Sequence, residues 1–452
     1  MQRTYCAVLL VLANICSFAQ WAPAGNPTRT FGMSSIVADT MADVLYFCGE
    51  SSLNGDFLGD DQTVSVLRDH SWSTFGNFLN RPFTIRCLGD TVFVGGAFPA
   101  GNNISVPRLQ CYSAGVWSQC GAFDGNIYRL KVVNGDLFAL GSFDVVDGQS
   151  AQGIAKRENG QWVPVGSFDV ASPPYIQDLV SWNGTLYTTG VISYSAEGPN
   201  HVAYLNNGQW LPLGLGIRSG FGAGRALAVY NNELYVSGSI PIGAGNAGHG
   251  IMRWDGQQYR PVGTGFQGLD GTYLYLVGAA ELEVYDGKLW ACGSFSYAGN
   301  VPCPGIATWD GARWCGLPLG PEPEINTIEF FHDTLFASCH VNLNGIPVNC
   351  AVRYTGSTYS DTCSVAVGLA ENSTLPSSTL RAYRRADGLV EVIGLPAGRF
   401  PLQVFDPLGR EVLSRTIVTN GQGALPLELP ALPLGISYFR VGELGTVRFL
   451  GP

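Results

Sequence analysis

An all-β architecture, a seven-bladed β-propeller followed by a small Ig-like β-sandwich, is what this sequence predicts, on three observations. A strand-rich phrase recurs seven times at near-constant spacing. Gly and aromatic residues are abundant while charge is scarce. After Cys363 the repeat gives way to a different set of short strands.

The repeated phrase is an apolar strand, a tight turn, L-Y-V-x-G-S-F, a variable loop, I-A-x-W-D-G, then x-W-x-P-L-G. Leu234–Ile240 with Ile251–Gly256 is one copy, and Leu289–Phe295 with Ile306–Gly311 is another. Second strands open at Leu45, Val92, Leu137, Leu186, Leu234, Leu289 and Leu335, at intervals of 47, 45, 49, 48, 55 and 46. The closing aromatic falls at Trp72, Trp117, Trp162, Trp210, Tyr259, Trp314 and Tyr359, at intervals of 45, 45, 48, 49, 55 and 45. Two independent markers therefore keep one period, and internal repeats of this length signal blades or solenoid units.

Each period holds four β-type runs bounded by turn residues. Asn134-Gly135, Asn183-Gly184 and Asp286-Gly287 join first to second runs. Asn159-Gly160, Asn207-Gly208, Asp255-Gly256 and Asp310-Gly311 join third to fourth. Such dipeptides tolerate the positive φ of type I′ turns, so two-residue hairpins are expected at all of them. Four antiparallel strands per period is the pattern of a propeller blade. Gln20–Gly25 copies the fourth strand as it stands in Gln161–Gly166, so it is a candidate to complete the last blade and leave no open edge. The segment around Tyr359 competes for the same place, and the sequence does not choose between them.

The repeats resemble those of the kelch and galactose-oxidase-like propellers, over about Gln20 to Cys363. Val94-Gly95-Gly96, and Trp309-Asp310-Gly311 through Trp314, echo that family's order of Gly doublet, aromatic-Asp and Trp. The doublet is complete only once, and the turn before the Trp is shorter than in kelch repeats. The copper site that galactose-oxidase chemistry would need has no residue-by-residue match.

Composition and the N-terminus bear on destination. Charged residues are 13% of the chain, and Gly (59) and Pro (26) are frequent, which suits short strands and turns rather than amphipathic helices. A net charge of −10 argues against a nucleic-acid partner. Arg3, the apolar run Tyr5 to Ile15 and Ser17-Phe18-Ala19 read as an export signal over residues 1–19. No later run is long enough for a transmembrane helix. The segments expected are the signal at 1–19, the propeller at 20–363, a linker at 364–378 and the sandwich at 379–452.

Twelve cysteines fit export. With Cys6 and Cys16 in the leader, ten remain. Cys111 and Cys120 flank one hairpin. Cys292 and Cys303 bracket the second-to-third-strand loop of repeat six, and Cys339 and Cys350 the matching loop of repeat seven. Pairing within repeats is expected, with Cys48–Cys87 and Cys315–Cys363 following by elimination. No C-x-x-C occurs, so zinc is disfavoured.

Beyond the linker, Gly398–Val412 reads as strand, Asp-x-x-Gly-Arg, strand. Leu432–Val441 reads as Leu-x-x-Gly, a Tyr, then strand, and Val447-Arg448-Phe449 as a basic terminal strand. These phrases resemble the type A C-terminal sorting domain of the type IX secretion system of Bacteroidetes. The resemblance implies export across the outer membrane, secretion machinery as a partner, and a surface or extracellular location. The usual Pro-Asn-Pro near the start is replaced by Arg384-Arg385-Ala386.

Candidate chemistry is thin. Asp255, Asp286 and Asp310 precede Gly in turns and read as structural. W-D-G-x-x-W is not an Asp box, because no residue separates Asp from Gly. His70, His201, His249, His332 and His340 show no ligand spacing. Asp56, Asp60 and Asp61 share one loop and read as solvated rather than as a Ca²⁺ site. The Asn103, Asn183 and Asn372 triplets match the glycosylation pattern and carry little weight in a bacterial host. Neither G-x-S-x-G nor a phosphate loop is present. No cofactor and no catalytic residue is expected. A binding protein for a protein or glycan ligand is favoured, and a carbohydrate-active propeller enzyme is the alternative. Long loops between second and third strands, such as Gly49–Gln62, Phe143–Gly153 and Ile240–Gly250, share one face with the blade-to-blade loops. Function is expected on that face, near the central channel.

Overall fold

The computed structural model describes residues 21–24, 30–52, 62–78, 81–96, 108–196, 198–218, 223–241, 244–268, 277–317, 325–343, 346–356, 362–363, 381–384, 390–393, 397–405, 411–420, 425–427, 436–441 and 445–450. The expected signal, the linker, the acidic loop at Asp56–Asp61, Asn103, Asn372 and Tyr359 lie outside them.

The chain divides into two units, Met1–Ala366 and Val367–Pro452. In the first, the described strands form seven blade sheets, five of four strands and two of five, antiparallel throughout except where Ser167–Phe168 joins the edge strand Gln209–Pro212 in parallel. Their inner strands are Thr30–Asp39, Pro82–Leu88, Asn126–Val133, Tyr175–Trp182, Gly224–Tyr230, Gly278–Tyr285 and Ile325–Phe331. Each inner strand packs on the next, and Thr30–Asp39 also packs on Ile325–Phe331, so the ring closes. This is an all-β propeller.

Blade seven settles the competition for its outer strand. Its sheet is Ile325–Phe331, Thr334–Leu343, Ile346–Tyr354 and then Trp21–Pro23, with Trp21 opposite Tyr354. Past blade seven, Thr362–Cys363 returns to blade six as a fifth strand, with Cys363 opposite Cys315.

The repeat phrase acquires physical reasons. The Gly of L-Y-V-x-G-S lies where the second strand crosses the start of the first. A Cβ at Gly141 would stand 1.9 Å from the Asn126 carbonyl oxygen, and one at Gly190 2.0 Å from that of Tyr175. No side chain fits there. Gly96, Gly238 and Gly293 meet the same restriction. Blade seven places Cys339 at this position, opposite Ile325, and its bulge spans Ile325 to Ile328 instead of one residue.

The closing aromatics of blades one to six bolt each blade to the one before it, whereas the Trp21 indole N–H of blade seven is buried with no hydrogen-bond partner among the described residues. Trp117 Nε1 donates to Phe75 O at 3.4 Å, Trp162 to Cys120 O at 2.7 Å, and Trp210 to Val165 O at 2.8 Å. The Tyr259 hydroxyl donates to Leu213 O at 3.0 Å, and Trp314 Nε1 to Val262 O at 3.0 Å. Trp72 donates to Ala24 O. Every acceptor lies three residues beyond the preceding blade's closing aromatic.

The turns divide into two kinds. Asn134-Gly135, Asn159-Gly160, Asn183-Gly184, Asn207-Gly208 and Asp286-Gly287 carry positive φ at both residues, as type I′ turns need. Asp255-Gly256 and Asp310-Gly311 differ from expectation: Trp254 pairs with Tyr259 and Trp309 with Trp314, which leaves four-residue loops. The cause is the aspartate side chain. Asp255 Oδ1 accepts the Gln257 and Gln258 amides at 2.9 and 2.8 Å, and Asp310 Oδ1 those of Ala312 and Arg313 at 2.8 and 2.7 Å. These bonds and Arg260 hold the Asp255 carboxyl down at about 2.

The second unit contains, among its described residues, a three-stranded sheet (Arg381–Arg384, Val390–Ile393, Leu425–Leu427) and a four-stranded one. The four-stranded sheet pairs Ala397–Phe405 with both Glu411–Asn420 and Ile436–Val441, and the latter with Gly445–Leu450. Among the described residues no helix is long and apolar enough to cross a membrane.

Candidate functional site: the channel mouth

All seven inner strands carry a β-bulge near their N-terminal ends. The register shifts at Met33/Ser35, Pro82/Thr84, Ile127/Arg129, Ile176/Asp178, Gly224/Ala226, Ala279/Glu281 and Ile325/Ile328. A bulge re-aims the extra residue. The extra residues Phe83, Tyr128, Gln177, Arg225, Ala280 and Asn326 line one cavity of about 550 Å³ together with Arg81, Arg129 and Tyr175. Six blades thus contribute to one bowl. It lies at the end of the channel where inner strands begin, which is the face of the blade-to-blade and second-to-third-strand loops.

The bowl has a floor. Arg129, from blade three, crosses the channel to blade six, where its Nη2 donates to Ala280 O at 3.2 Å. Its Nη1 lies 3.5 Å from Asp178 Oδ2 and 3.8 Å from Glu281 Oε1. Asp178 is fully buried, yet Lys131 at 2.6 Å, Arg129 and the Leu227 amide at 2.8 Å outweigh its desolvation and hold its pKa below the usual carboxylate range. The same inner-strand position repeats a bridge in alternate blades. Thr84 Oγ1 accepts the Leu130 amide at 2.9 Å, Asp178 that of Leu227, and Glu281 Oε2 that of Ile328 at 3.1 Å.

Below the floor, two carboxyls face the channel from adjacent blades. Burial, with Glu329 and Glu281 nearby, pushes Glu283 up to about 9. Burial pushes Glu329 to about 7 against the pull of Arg86.

One wall of the bowl is an aromatic ladder. Phe83 stacks on Tyr128 at 5.6 Å, and Tyr128 on Tyr175 at 4.3 Å, with interplanar angles of 25° and 27°. Arg81 sits over Phe83 at 5.6 Å. The cavity lies on the long-loop face where the sequence led function to be expected, but sequence reading named none of its residues. The signal was present in phase: each precedes the Arg, Asp, Glu or small residue that starts the repeat's first apolar run, but its side chain aims at the bowl only because of the bulge.

Among the described histidines, His70 and His332 line one surface hollow with Asp43 and Asp69, while His201 and His249 are buried on blades four and five. His249 is buried with Nδ1 2.5 Å from Phe266 O, and burial lowers its pKa. His201 Nδ1 accepts the Ile192 amide at 3.2 Å. His332 pairs with Asp43 at 2.7 Å on the surface, and His70 occupies a turn at φ 62°. Among the described residues no group of three His, Cys, Asp or Glu could hold a metal.

Cys315 and Cys363 form a disulfide. Cys48, Cys87, Cys111, Cys120, Cys292 and Cys303 carry free thiols in this structure. Cys111 lies opposite Ser118, so Cys120 is its diagonal neighbour on the same face of the pair. Cys48 and Cys87 belong to one apolar cluster. Cys292 and Cys303 belong to different ones. Cys339 stands directly opposite Cys350 in the strand register.

No protein-family profile matches the sequence, and no curated protein matches it. Solved structures do. The chain is similar to YCF48 bound to D1 peptide, at 14% identity over 76% of this chain and 98% of that one, with a TM-score of 0.45. It is similar to the β-propeller domain of the trilobed protease from Pyrococcus furiosus, at 8% identity over 68% and 91%, with a TM-score of 0.42. Acylaminoacyl peptidase from Pyrococcus horikoshii matches at 10% identity over 80% and 57%, with a TM-score of 0.44. At these values strand topology carries the fold, and nothing of those proteins' partners or activities transfers.

Proposed function

We propose that this chain is an exported binding protein whose ligand site is the bowl at the channel mouth. The observation that carries the reading is the convergence of one bulge residue from each of six blades on a single floored cavity. A rigid ring that aims side chains from many strands at one point is a good scaffold for recognition. Hydrogen-exchange footprinting with ligands selected from glycan and peptide arrays tests it. Protection is expected at Phe83, Tyr128, Gln177 and Arg225. Protection on the face of the Asn-Gly turns instead would sink the proposal.

An enzyme remains the second reading, because Glu283 and Glu329 are channel carboxyls with raised pKa, a pattern common at catalytic sites. Turnover of an array-selected glycan, lost in Glu283→Gln, would replace the first reading with this one.

We further infer that residues 379–452 direct export by a type IX-like route to the cell exterior, following the signal at 1–19. Support comes from the sequence phrases and from the hairpin of Ala397–Phe405 with Glu411–Asn420, which brackets Asp-x-x-Gly-Arg. Deleting residues 379–452 should leave the propeller in the periplasm; unchanged release to the medium would refute the role.

A further inference from the structure

We propose that the bowl binds a compact acidic saccharide and holds its carboxylate between Arg81 and Arg225. This deepens the preceding reading and depends on the bowl being the ligand site.

Charge is the first argument. The lining includes Arg81, Arg129 and Arg225 and, among the described residues, no carboxylate. That is a cationic hollow in a chain of net charge −10. Arg129 is already matched by Asp178 and Glu281 beneath it. Arg81 and Arg225 come from different sides of the channel, at the entry to blade two and on blade five, three blades apart. Arginine suits a carboxylate because its planar fork can donate two parallel hydrogen bonds.

The aromatic ladder is the second. A neutral sugar is commonly gripped by a free ring face. Here Tyr128 is sandwiched between Phe83 and Tyr175, and Arg81 lies over Phe83. The stacking occupies both faces of Tyr128, and Phe83 lies between Tyr128 and Arg81, so those two rings offer a neutral sugar little open face.

Size and polarity supply the third. About 550 Å³ falls within the range of small-ligand sites and leaves room for one or two sugar rings. Arg129 blocks passage down the channel, so a longer chain enters only by its end. Gln177 and Asn326 offer amide donors and acceptors for hydroxyls. The aliphatic lining is limited to Val191, Ala223 and Ala280, which gives a peptide anchor little to pack against.

The test is calorimetric titration of the full chain with digalacturonate, with neutral galactobiose, and with a Glu-rich hexapeptide. Digalacturonate should bind, and its affinity should fall as NaCl rises from about 50 to about 300 mM. Arg81→Gln and Arg225→Gln should each weaken it by roughly tenfold or more, the equivalent of one charged hydrogen bond. Lys156→Gln, remote from the bowl, should change nothing, and thermal midpoints confirm that the variants are folded. Equal binding of galactobiose, binding of the peptide alone, or no binding by any probe would overturn the proposal. The two readings separate cleanly. Galactobiose binding that Tyr175→Ala abolishes keeps the bowl and removes the acid; binding of any probe that ignores Arg81, Arg225 and Tyr175 removes the bowl itself.

Discussion

Trp72, in blade one, donates its indole N–H to the carbonyl of Ala24, a residue carried on blade seven. Ala24 is held there by its own amide, which donates to Ala351 O at 2.9 Å. The joint that fastens neighbouring blades elsewhere therefore also fastens the two ends of the ring. Trp72→Phe keeps the ring and removes the donor, and should cost about 1 kcal/mol in urea unfolding. Deleting residues 21–25 should cost much more and bare the edge of Ile346–Tyr354. Self-association in size-exclusion chromatography is then expected; a monomer of unchanged stability would show that the strand is dispensable.

Gly141 and Gly135 test crowding against conformation. Gly141→Ala drives a Cβ into the Asn126 carbonyl and should destabilise by about 3 kcal/mol or more, as overpacking of a rigid site does. Gly135 sits at φ 86° with open space around its Cβ position, so Gly135→Ala pays only backbone strain, about 1 kcal/mol. Thermal or urea unfolding of the two variants should rank them in that order.

Asp178 and Glu283 give the ring opposite responses to pH. The folded pKa of Asp178 is lowered, so its stabilisation is present above its unfolded value and disappears as pH falls through the folded one. Asp178→Asn strands Lys131 and Arg129 and should cost about 3–5 kcal/mol at pH 7, with a smaller gap in acid. Glu283 is raised to about 9, so the folded state keeps a proton that the unfolded chain has lost. Its contribution is complete below its unfolded pKa and erodes as pH rises toward 9. Glu283→Gln should accordingly raise the thermal midpoint at pH 8.5 more than at pH 5, and equal shifts at both would count against the assignment.

The cysteines make a chemical prediction. Non-reducing peptide mapping of protein prepared without reductant should link Cys315 to Cys363. It should also link Cys111 to Cys120 once the chain meets an oxidising medium, because these two thiols, free here, already hydrogen-bond each other across the hairpin. Cys292 and Cys303 are buried, and burial raises both thiols. They should resist alkylation in the native protein and react after denaturation without reductant. Failure to react under those conditions would mean that they are bridged.

Much of the ring was legible because its markers are local. Asn-Gly turns announce hairpins by backbone conformation, and each closing Trp needs one carbonyl at a fixed offset. The bowl was not legible. Phe83, Tyr128, Gln177, Arg225, Ala280 and Asn326 share no residue type; only the bulge, a property of strand pairing, places them together. The Asp255 and Asp310 loops were misread for the opposite reason. Asp-Gly suits a two-residue turn, but an aspartate able to accept two amides stabilises a longer one. That the outer strand of blade seven comes from Trp21–Pro23 was not legible either, because its pairing with Val352–Tyr354 is set by the tertiary path and not by the repeat phrase.

The pairing of Trp21 with Tyr354 also imposes an order of events. The strand Trp21–Pro23 has no partner until the last blade has emerged. Until then six blades can stack on one another, but the seventh offers an unpaired edge and the N-terminal strand hangs loose. Closing so long a loop comes late, because its entropy is lost before any contact repays it. A ring of this kind is an open crescent for much of its assembly, and whatever holds it meanwhile must shield both the loose strand and the edge that awaits it.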